Sequence, residues 1–187
     1  ATRWQNWRQE KTRRQQDVSV NGLNSASIFD VMNKTVPNDA IICVDVGNNT
    51  YSFGRYFESA NQTILMSGYL GSIGFEFPAA TGAGSANTGR KIIAVAGDGG
   101  FGQYMVEFTT AVKYNMPILL ILLNNSELGK ITKEFNADGM EAWHTSLNNP
   151  NFVEYVKSCG GDGIQVSDIN NLEKAINFGL SSEKPFI

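Results

Sequence analysis

Histidine and cysteine are nearly absent from this 187-residue chain, which holds one histidine, His144, and two cysteines, Cys43 and Cys159. The cysteines lie far apart without paired spacing, and Cys43 falls inside an apolar run. A disulfide framework is therefore not expected, and two reduced thiols in a cytoplasmic protein is the default reading. His144 stands alone in a polar stretch and is not assigned to catalysis. No apolar run reaches membrane-spanning length, and no signal-peptide pattern opens the sequence. Positive charge is also scarce. The net charge is −3, yet residues 1–17 carry a local +3 through Arg3, Arg8, Lys11, Arg13 and Arg14 against Glu10 and Asp17. The remainder carries −6, which argues against a nucleic-acid surface on the folded part. No internal repeat or low-complexity tract is present.

What the chain does have is apolar content, 42% of its residues, enough for the core of one α/β domain. It also has glycine and asparagine at the ends of apolar runs. Lys91-Ile92-Ile93-Ala94-Val95-Ala96 leads straight into Gly97-Asp98-Gly99-Gly100, and Ile118-Leu119-Leu120-Ile121-Leu122-Leu123 leads into Asn124-Asn125, with Asn125 27 positions after Asp98. That spacing is one strand–helix–strand unit, so both polar ends return to the same edge of a parallel sheet. A carboxylate and a carboxamide supply the hard oxygens that Mg²⁺ prefers. Glycines beside them let backbone N–H groups approach phosphate oxygens, and a following helix offers its positive N-terminus. The pair reads as a site for a metal and a diphosphate.

Residues 1–20 are polar, with Trp4 and Trp7 as the only large apolar anchors, and read as a solvated linker helix. Ser25 is expected to cap a helix running to about Thr35, ahead of Pro37. The spacing predicts strands at Ala40–Val46, Thr63–Met66, Lys91–Ala96, Ile118–Leu123 and Gly163–Val166. Helices are expected over Pro78–Ala86, Tyr104–Tyr114, Phe152–Cys159 and Leu172–Leu180, with at least a helical turn after Gly129. Met105, Phe108 and Tyr114 sit at helical spacing and read as core, with Phe101 packed under a helix start. Lys184-Pro185-Phe186-Ile187 reads as the opening of a further strand, and the chain as a piece of a longer protein. Near-continuous apolar strands alternating with helices indicate an α/β fold with a parallel sheet covered on both faces. Four segments converge beyond its carboxyl edge: Gly47–Thr50, Gly68–Gly74, Gly97–Phe101 and Asn124–Ile131.

Together these segments resemble the C-terminal domain of thiamine diphosphate-dependent enzymes of the pyruvate oxidase, acetolactate synthase and 2-oxoacid decarboxylase group. Gly97-Asp98-Gly99 with Asn124-Asn125 is similar to the family's diphosphate motif. Leu70-Gly71-Ser72-Ile73-Gly74-Phe75-Glu76-Phe77-Pro78-Ala79-Ala80 is similar to its cofactor-clasping loop and helix, and Asp45-Val46-Gly47-Asn48-Asn49 to its diphosphate turn. Gly97-Asp98-Gly99-Gly100-Phe101 and Asn124-Asn125-Ser126 look closest to bacterial pyruvate oxidases. The resemblance implies a Rossmann-like three-layer domain over residues 21–187, joined to a linker remnant at 1–20. It implies Mg²⁺ held by Asp98, the Asn125 side chain and the Glu127 carbonyl. It gives the diphosphate to backbone groups of Asn48, Asn49, Gly99, Gly100, Leu128 and Gly129. The Gly71 carbonyl and Ile73 N–H would hold the aminopyrimidine, and the Ile73 side chain would wedge the cofactor into a bent, reactive shape. Gly47, Ser72, Ser126, Lys130 and Ile131 complete the expected cofactor-binding set.

Glu134, nine positions after Asn125, matches a glutamate of pyruvate oxidases and is the expected substrate-side residue beside Ile73. Lys130 departs from the phenylalanine of those oxidases, and Glu76 replaces a small residue of the family loop and has no assigned role. The resemblance further implies decarboxylation of pyruvate or a similar 2-oxo acid in a homodimer or homotetramer. There the pyrimidine-binding domain of a partner subunit supplies an activating glutamate. A flavin (FAD), if one is bound, would sit on a middle domain outside this sequence. A carboligase of the acetolactate synthase type and a non-oxidative decarboxylase are the alternatives within the group. From another class, a regulatory module that retains the pocket or a Rossmann nucleotide binder remains. The last is disfavoured because no Gly-x-Gly-x-x-Gly follows the first strand.

Overall fold

Four of the apolar runs form strands: β1 (Ile41–Val44), β2 (Thr63–Met66), β3 (Ile92–Gly97) and β4 (Ile118–Leu123). The computed structural model describes residues 2–17, 22–86 and 89–187; the expected boundary between residues 20 and 21 lies outside them. The sheet has the order β2-β1-β3-β4 with every pair parallel, in a register that aligns Ile41 with Thr63 and Ile92, and Ile92 with Ile118. Alternate residues feed two separate cores. Ile42, Val44, Ile93, Val95 and Leu119 face one side, where they meet α2 (Ser25–Thr35), α3 (Asn48–Tyr56) and α9 (Ile169–Ser181) through Phe29, Met32, Phe53, Leu172 and Ile176. Ile41, Cys43, Ile92, Ala94, Ala96, Ile118 and Leu120 face the other. There they meet α4 (Glu76–Ser85), α5 (Asp98–Tyr104), α6 (Phe108–Lys113) and α8 (Phe152–Ser158). With both faces covered, the central strands have no solvent side, which is why they read as unbroken apolar runs rather than alternating ones.

The chain leaves β1 toward β2 on one side and returns to β3 on the other, so the strand order reverses between β1 and β3. A crevice opens at such a switch point, beyond the carboxyl ends of the strands. Asp45 follows β1 there and Asp98 follows β3.

Several expectations are corrected. The expected Gly163–Val166 strand is absent: only Asp162 bridges Phe186, and the Ile164 N–H donates to the Ile187 carbonyl at 2.9 Å. The helix expected from Tyr104 begins at Asp98 instead and is broken by a 3₁₀ turn at Met105–Glu107. Phe108 is fully buried and Met105 partly buried, but Tyr114, six positions past Phe108 and so roughly 240° around the helix, is 60% exposed rather than core. The cap of α2 is Asn24, one residue before the expected Ser25, and its Oδ1 accepts from the Ser27 N–H. Helix α3 was not foreseen; its buried face holds only Asn49 and Phe53. Residues 2–15 do form a helix, α1 (Thr2–Gln15), but it is tied to the domain: Lys11 is buried and ion-paired to Glu58 at 3.0 Å, with Arg8 on the same carboxylate. Trp4, expected as an anchor, is 65% exposed.

Candidate functional site: a hard-oxygen and anion cleft

Three strand ends and one glycine loop bound a cleft whose lining includes Asp45–Asn49, Gly71, Ile73, Gly97–Gly100 and Asn124–Ile131. The four segments expected to converge do so. At the end of β1, Gly47 adopts φ +125°, which a glycine tolerates and an L side chain resists, and α3 starts on the next residue. The start of α3, at Asn48 and Asn49, thus lies on the cleft wall, and the first N–H groups of a helix are unpaired within it and suit an anion. Asn49 differs in its side chain: it is buried and its Nδ2 donates back to the Asp45 carbonyl at 2.8 Å, while Thr50 Oγ1 donates to the same oxygen. Asn49 can serve an anion only through its backbone.

At the end of β3, Asp98 is 2% exposed and is the first residue of α5. Its Oδ2 accepts from Asn149 Nδ2 at 2.6 Å, and the same amide reaches Asn124 Oδ1 at 3.0 Å. After β4, Ser126 takes φ +56° and bends the chain so that the Glu127 carbonyl faces inward. The loop is strapped by a later segment, with the Leu128 N–H on the Thr145 carbonyl at 2.7 Å and the Leu147 N–H on the Ser126 carbonyl at 2.8 Å. Helix α7 (Gly129–Ala137) follows directly.

The three expected metal ligands meet. One terminal atom of the Asn125 amide lies 3.0 Å from the Glu127 carbonyl oxygen and 3.1 Å from Asp98 Oδ1. Mg²⁺ binds oxygen at 2.0–2.1 Å in octahedral geometry, so adjacent ligand oxygens sit roughly 2.9 Å apart. The two separations fit edges of such an octahedron. With its nitrogen inward the amide donates to both acceptors; with its oxygen inward it adds a third oxygen beside the Asp98 carboxylate and the Glu127 carbonyl. Among the described residues no group of three His, Cys, Asp or Glu side chains is placed to hold a metal. The donor set here is one carboxylate, one amide and one main-chain carbonyl, suited to a hard ion.

Glycines make the convergence possible. A Cβ on Gly99 would lie 2.6 Å from a Leu128 methyl, and one on Gly129 would lie 2.9 Å from Asn48 Nδ2. The rim carries positive charge: Lys133 Nζ lies 3.4 Å from Asn48 Oδ1, and Lys130 Nζ sits 5.4 Å over the Tyr51 ring while pairing with Glu134. Ser126, Lys130 and Ile131 line the cleft; Ser72 and Glu134 are exposed and do not. His144 is exposed, packed edge-on against Trp143, and away from the lining.

On the opposite wall, Asp45 is 1% exposed and its Oδ1 accepts from the Gly74 and Phe75 N–H groups at 2.8 and 3.1 Å. That carboxylate fixes the loop carrying Gly71 and Ile73. Three contributors escaped the sequence reading: Asn149, the strap at Thr145–Leu147, and the carboxylate of Asp45. Asp45 had a usable signal, an acid directly after four apolar strand residues. Asn149 had none, since it meets Asp98 across 51 positions. Replacing Asn149 with alanine should weaken divalent-metal binding about tenfold, as loss of a ligand's hydrogen-bond partner typically does, with little change in Tm; metal titration monitored by calorimetry checks this.

Residues 45–187 match the family described as thiamine pyrophosphate enzyme, C-terminal TPP binding domain. The chain is 36% identical over 157 residues to a putative thiamine pyrophosphate-containing protein, YdaP, of Bacillus subtilis, covering 83% of this chain and 27% of that protein. It is 29% identical over 164 residues to a probable acetolactate synthase large subunit of Methanococcus aeolicus, covering 86% of this chain and 27% of that one. Among solved structures it resembles the thiamine diphosphate-dependent 4-hydroxybenzoylformate decarboxylase of Rhodococcus jostii. The TM-score is 0.83 at 25% identity, over 91% of this chain and 33% of that chain. The chain thus spans about a quarter to a third of the proteins it matches.

Proposed function

Because the chain belongs to the family of C-terminal thiamine pyrophosphate-binding domains, we propose that it anchors thiamine diphosphate through Mg²⁺ within a larger enzyme that decarboxylates a 2-oxo acid. The observation that carries this reading is the meeting of Asp98 Oδ1, the Asn125 amide and the Glu127 carbonyl at 3.0–3.1 Å. Asp98 supplies the one negative charge of the trio, and Asn149 orients its carboxylate. The α3 start at Asn48 and the glycines 99, 100 and 129 receive the diphosphate, with Lys130 and Lys133 adding charge at the rim. Gly71 and Ile73 stand on the opposite wall, where they suit the aminopyrimidine and the underside of the thiazolium. When bound, the cofactor supplies a thiazolium ring that serves as electron sink for decarboxylation. Glu134 holds the Lys130 ammonium in place at the cleft rim.

The cleft is open on the side of Tyr69 and Leu70, which are 95% and 80% exposed beside the Gly71 loop. Apolar side chains at a cofactor loop support closure by another domain, in this reading the pyrimidine-binding domain of a partner subunit, which carries the activating glutamate. For the reaction itself we favour a pyruvate oxidase-like course, on the Asn125-Ser126 and Glu134 resemblance. The carboligase course is supported by relatives named acetolactate synthases. Incubating the full-length enzyme with pyruvate separates them: acetate or acetyl phosphate with reduction of an acceptor marks the oxidase, and acetolactate marks the carboligase. CO₂ release should require both thiamine diphosphate and Mg²⁺; none from any 2-oxo acid would contradict the reading.

A further inference from the structure

Glu76 is the most deeply buried acid of the chain, at 0% exposure, and neither of its carboxyl oxygens has a hydrogen-bond partner. One oxygen of Asp45, Oδ2, is likewise buried and unpartnered, and the two carboxyl groups lie close enough to interact. Among the described residues no ion pair reaches either carboxyl group, and β1 to β4, α4 and α5 contain no lysine, arginine or histidine. The other titratable groups on these elements are Cys43 on β1, and Asp98 and Tyr104 on α5. Burial, and next Glu76 itself, push the Cys43 thiol up to about 12, so it stays neutral. Two ionised carboxylates cannot share such a space.

We propose that Glu76 is a positioning residue for the cofactor loop: it carries a proton that it donates to Asp45 Oδ2, fixing the carboxylate whose other oxygen holds the loop. The division of charge follows from the partners. Asp45 Oδ1 accepts two backbone N–H groups, from Gly74 and Phe75, so Asp45 is the better anion, whereas Glu76 has no donor and keeps the proton. Burial, and next the neighbouring Asp45 carboxylate, raise the Glu76 carboxyl from its ordinary 4.5 to about 9. The folded protein thus retains a proton that the unfolded chain releases. The resulting stabilisation is complete below about 4.5 and is lost as pH rises through about 9. Ionisation there would set two anions face to face behind Gly74, immediately after Ile73. The pair thereby makes the loop an alkaline-sensitive support for whatever binds against it, and this inference rests on the cofactor reading only for the identity of that ligand.

Glu76→Gln tests the shared proton, because an amide still donates to Asp45 Oδ2 but does not titrate. In the full-length, cofactor-free protein the wild-type Tm should fall between pH 7.5 and 9.5, and the fall should be much smaller in Glu76→Gln. With Mg²⁺ fixed, wild-type affinity for thiamine diphosphate should drop about tenfold over the same range, against less than about threefold for Glu76→Gln. Glu76→Ala should bind weakly already at pH 7.5, since it removes the donor. An alkaline loss in Glu76→Gln as steep as the wild type's, or a Glu76→Gln as weak as Glu76→Ala at pH 7.5, would overturn the proposal. If the wild type bound no thiamine diphosphate at any pH, the cofactor reading would fall, and the cofactor-free Tm comparison alone would decide the shared proton.

Discussion

Asp98→Ala is expected to weaken Mg²⁺-dependent binding of thiamine diphosphate by about 100-fold or more while leaving the protein folded. Loss of a ligand's neighbour costs about 10–100-fold in metal affinity, and loss of the ligand itself should cost at least the upper figure. Asp98 is the only charged member of its trio; the Asn125 amide and Glu127 carbonyl are neutral oxygens that alone hold a divalent ion poorly. The fold should tolerate the change. Asp98 lies outside the two apolar cores, and as the first residue of α5 its favourable interaction with the helix N-terminus is worth about 0.3–1 kcal/mol. Removing it frees Asn149 Nδ2, which still has Asn124 Oδ1 at 3.0 Å. Calorimetric titration with and without Mg²⁺, beside a thermal melt, checks both parts. Unchanged affinity would remove Asp98 from the site, and a collapsed Tm would make its role structural.

Gly100→Ala should damage the protein more broadly, by about 3 kcal/mol in stability, the upper range for forced overpacking. A Cβ at this position would lie 1.8 Å from Asp45 Oδ2 and 3.4 Å from the Gly74 nitrogen. Asp45 has no room to retreat, because its other oxygen holds Gly74 and Phe75 and its neighbour is the buried Glu76. Helix α5 would have to move off β1, opening the wall between metal ligands and cofactor loop. For a domain of this size the loss corresponds to a Tm lower by roughly 6–12 °C. Gly102→Ala is the control within the same helix: nothing lies within 4 Å of its added Cβ. Alanine in place of glycine in a helix should there stabilise by about 0.5–1 kcal/mol. Denaturant titration of both variants reads the difference; equal stabilities would refute the close approach of α5 to Asp45.

The central strands were legible because burial on both faces turns β1 and β3 into unbroken apolar runs, and β4, Ile118–Leu123, reads the same way; β2 is largely exposed. The convergence of Asp98 and Asn125, where we propose a cation, was legible for a related reason: strand ends project functional groups to one edge, so topology alone places the two together. Helices at the site were read less well. Spacing taken as helical put Tyr114 in the core with Phe108, but six residues carry it roughly 240° around the helix, and it lies just past Lys113, the last residue of α6. The start of α5 at Asp98 was hidden because glycines at 99, 100 and 102 argue locally against a helix, and tertiary contacts explain only the first two. Asn149 and the strap at Thr145–Leu147 reach the site from a polar loop with no periodicity, so their positions depend on pairing that one sequence does not encode locally. Glu76 was visible as an acid among apolar residues, but its meaning required Asp45 beside it.

The central claim is that a divalent ion couples the Asp98, Asn125 and Glu127 oxygens to a diphosphate. Such coupling is reciprocal: if the diphosphate tightens metal binding, the metal tightens diphosphate binding by the same factor. Titrating Mg²⁺ into the full-length protein, with thiamine diphosphate and separately with thiamine monophosphate, measures it directly. The account predicts Mg²⁺ binding at least about tenfold tighter with the diphosphate than with the monophosphate, and a matching loss of diphosphate affinity when Mg²⁺ is chelated. Thiamine diphosphate binding equally well in the presence of chelator would contradict it.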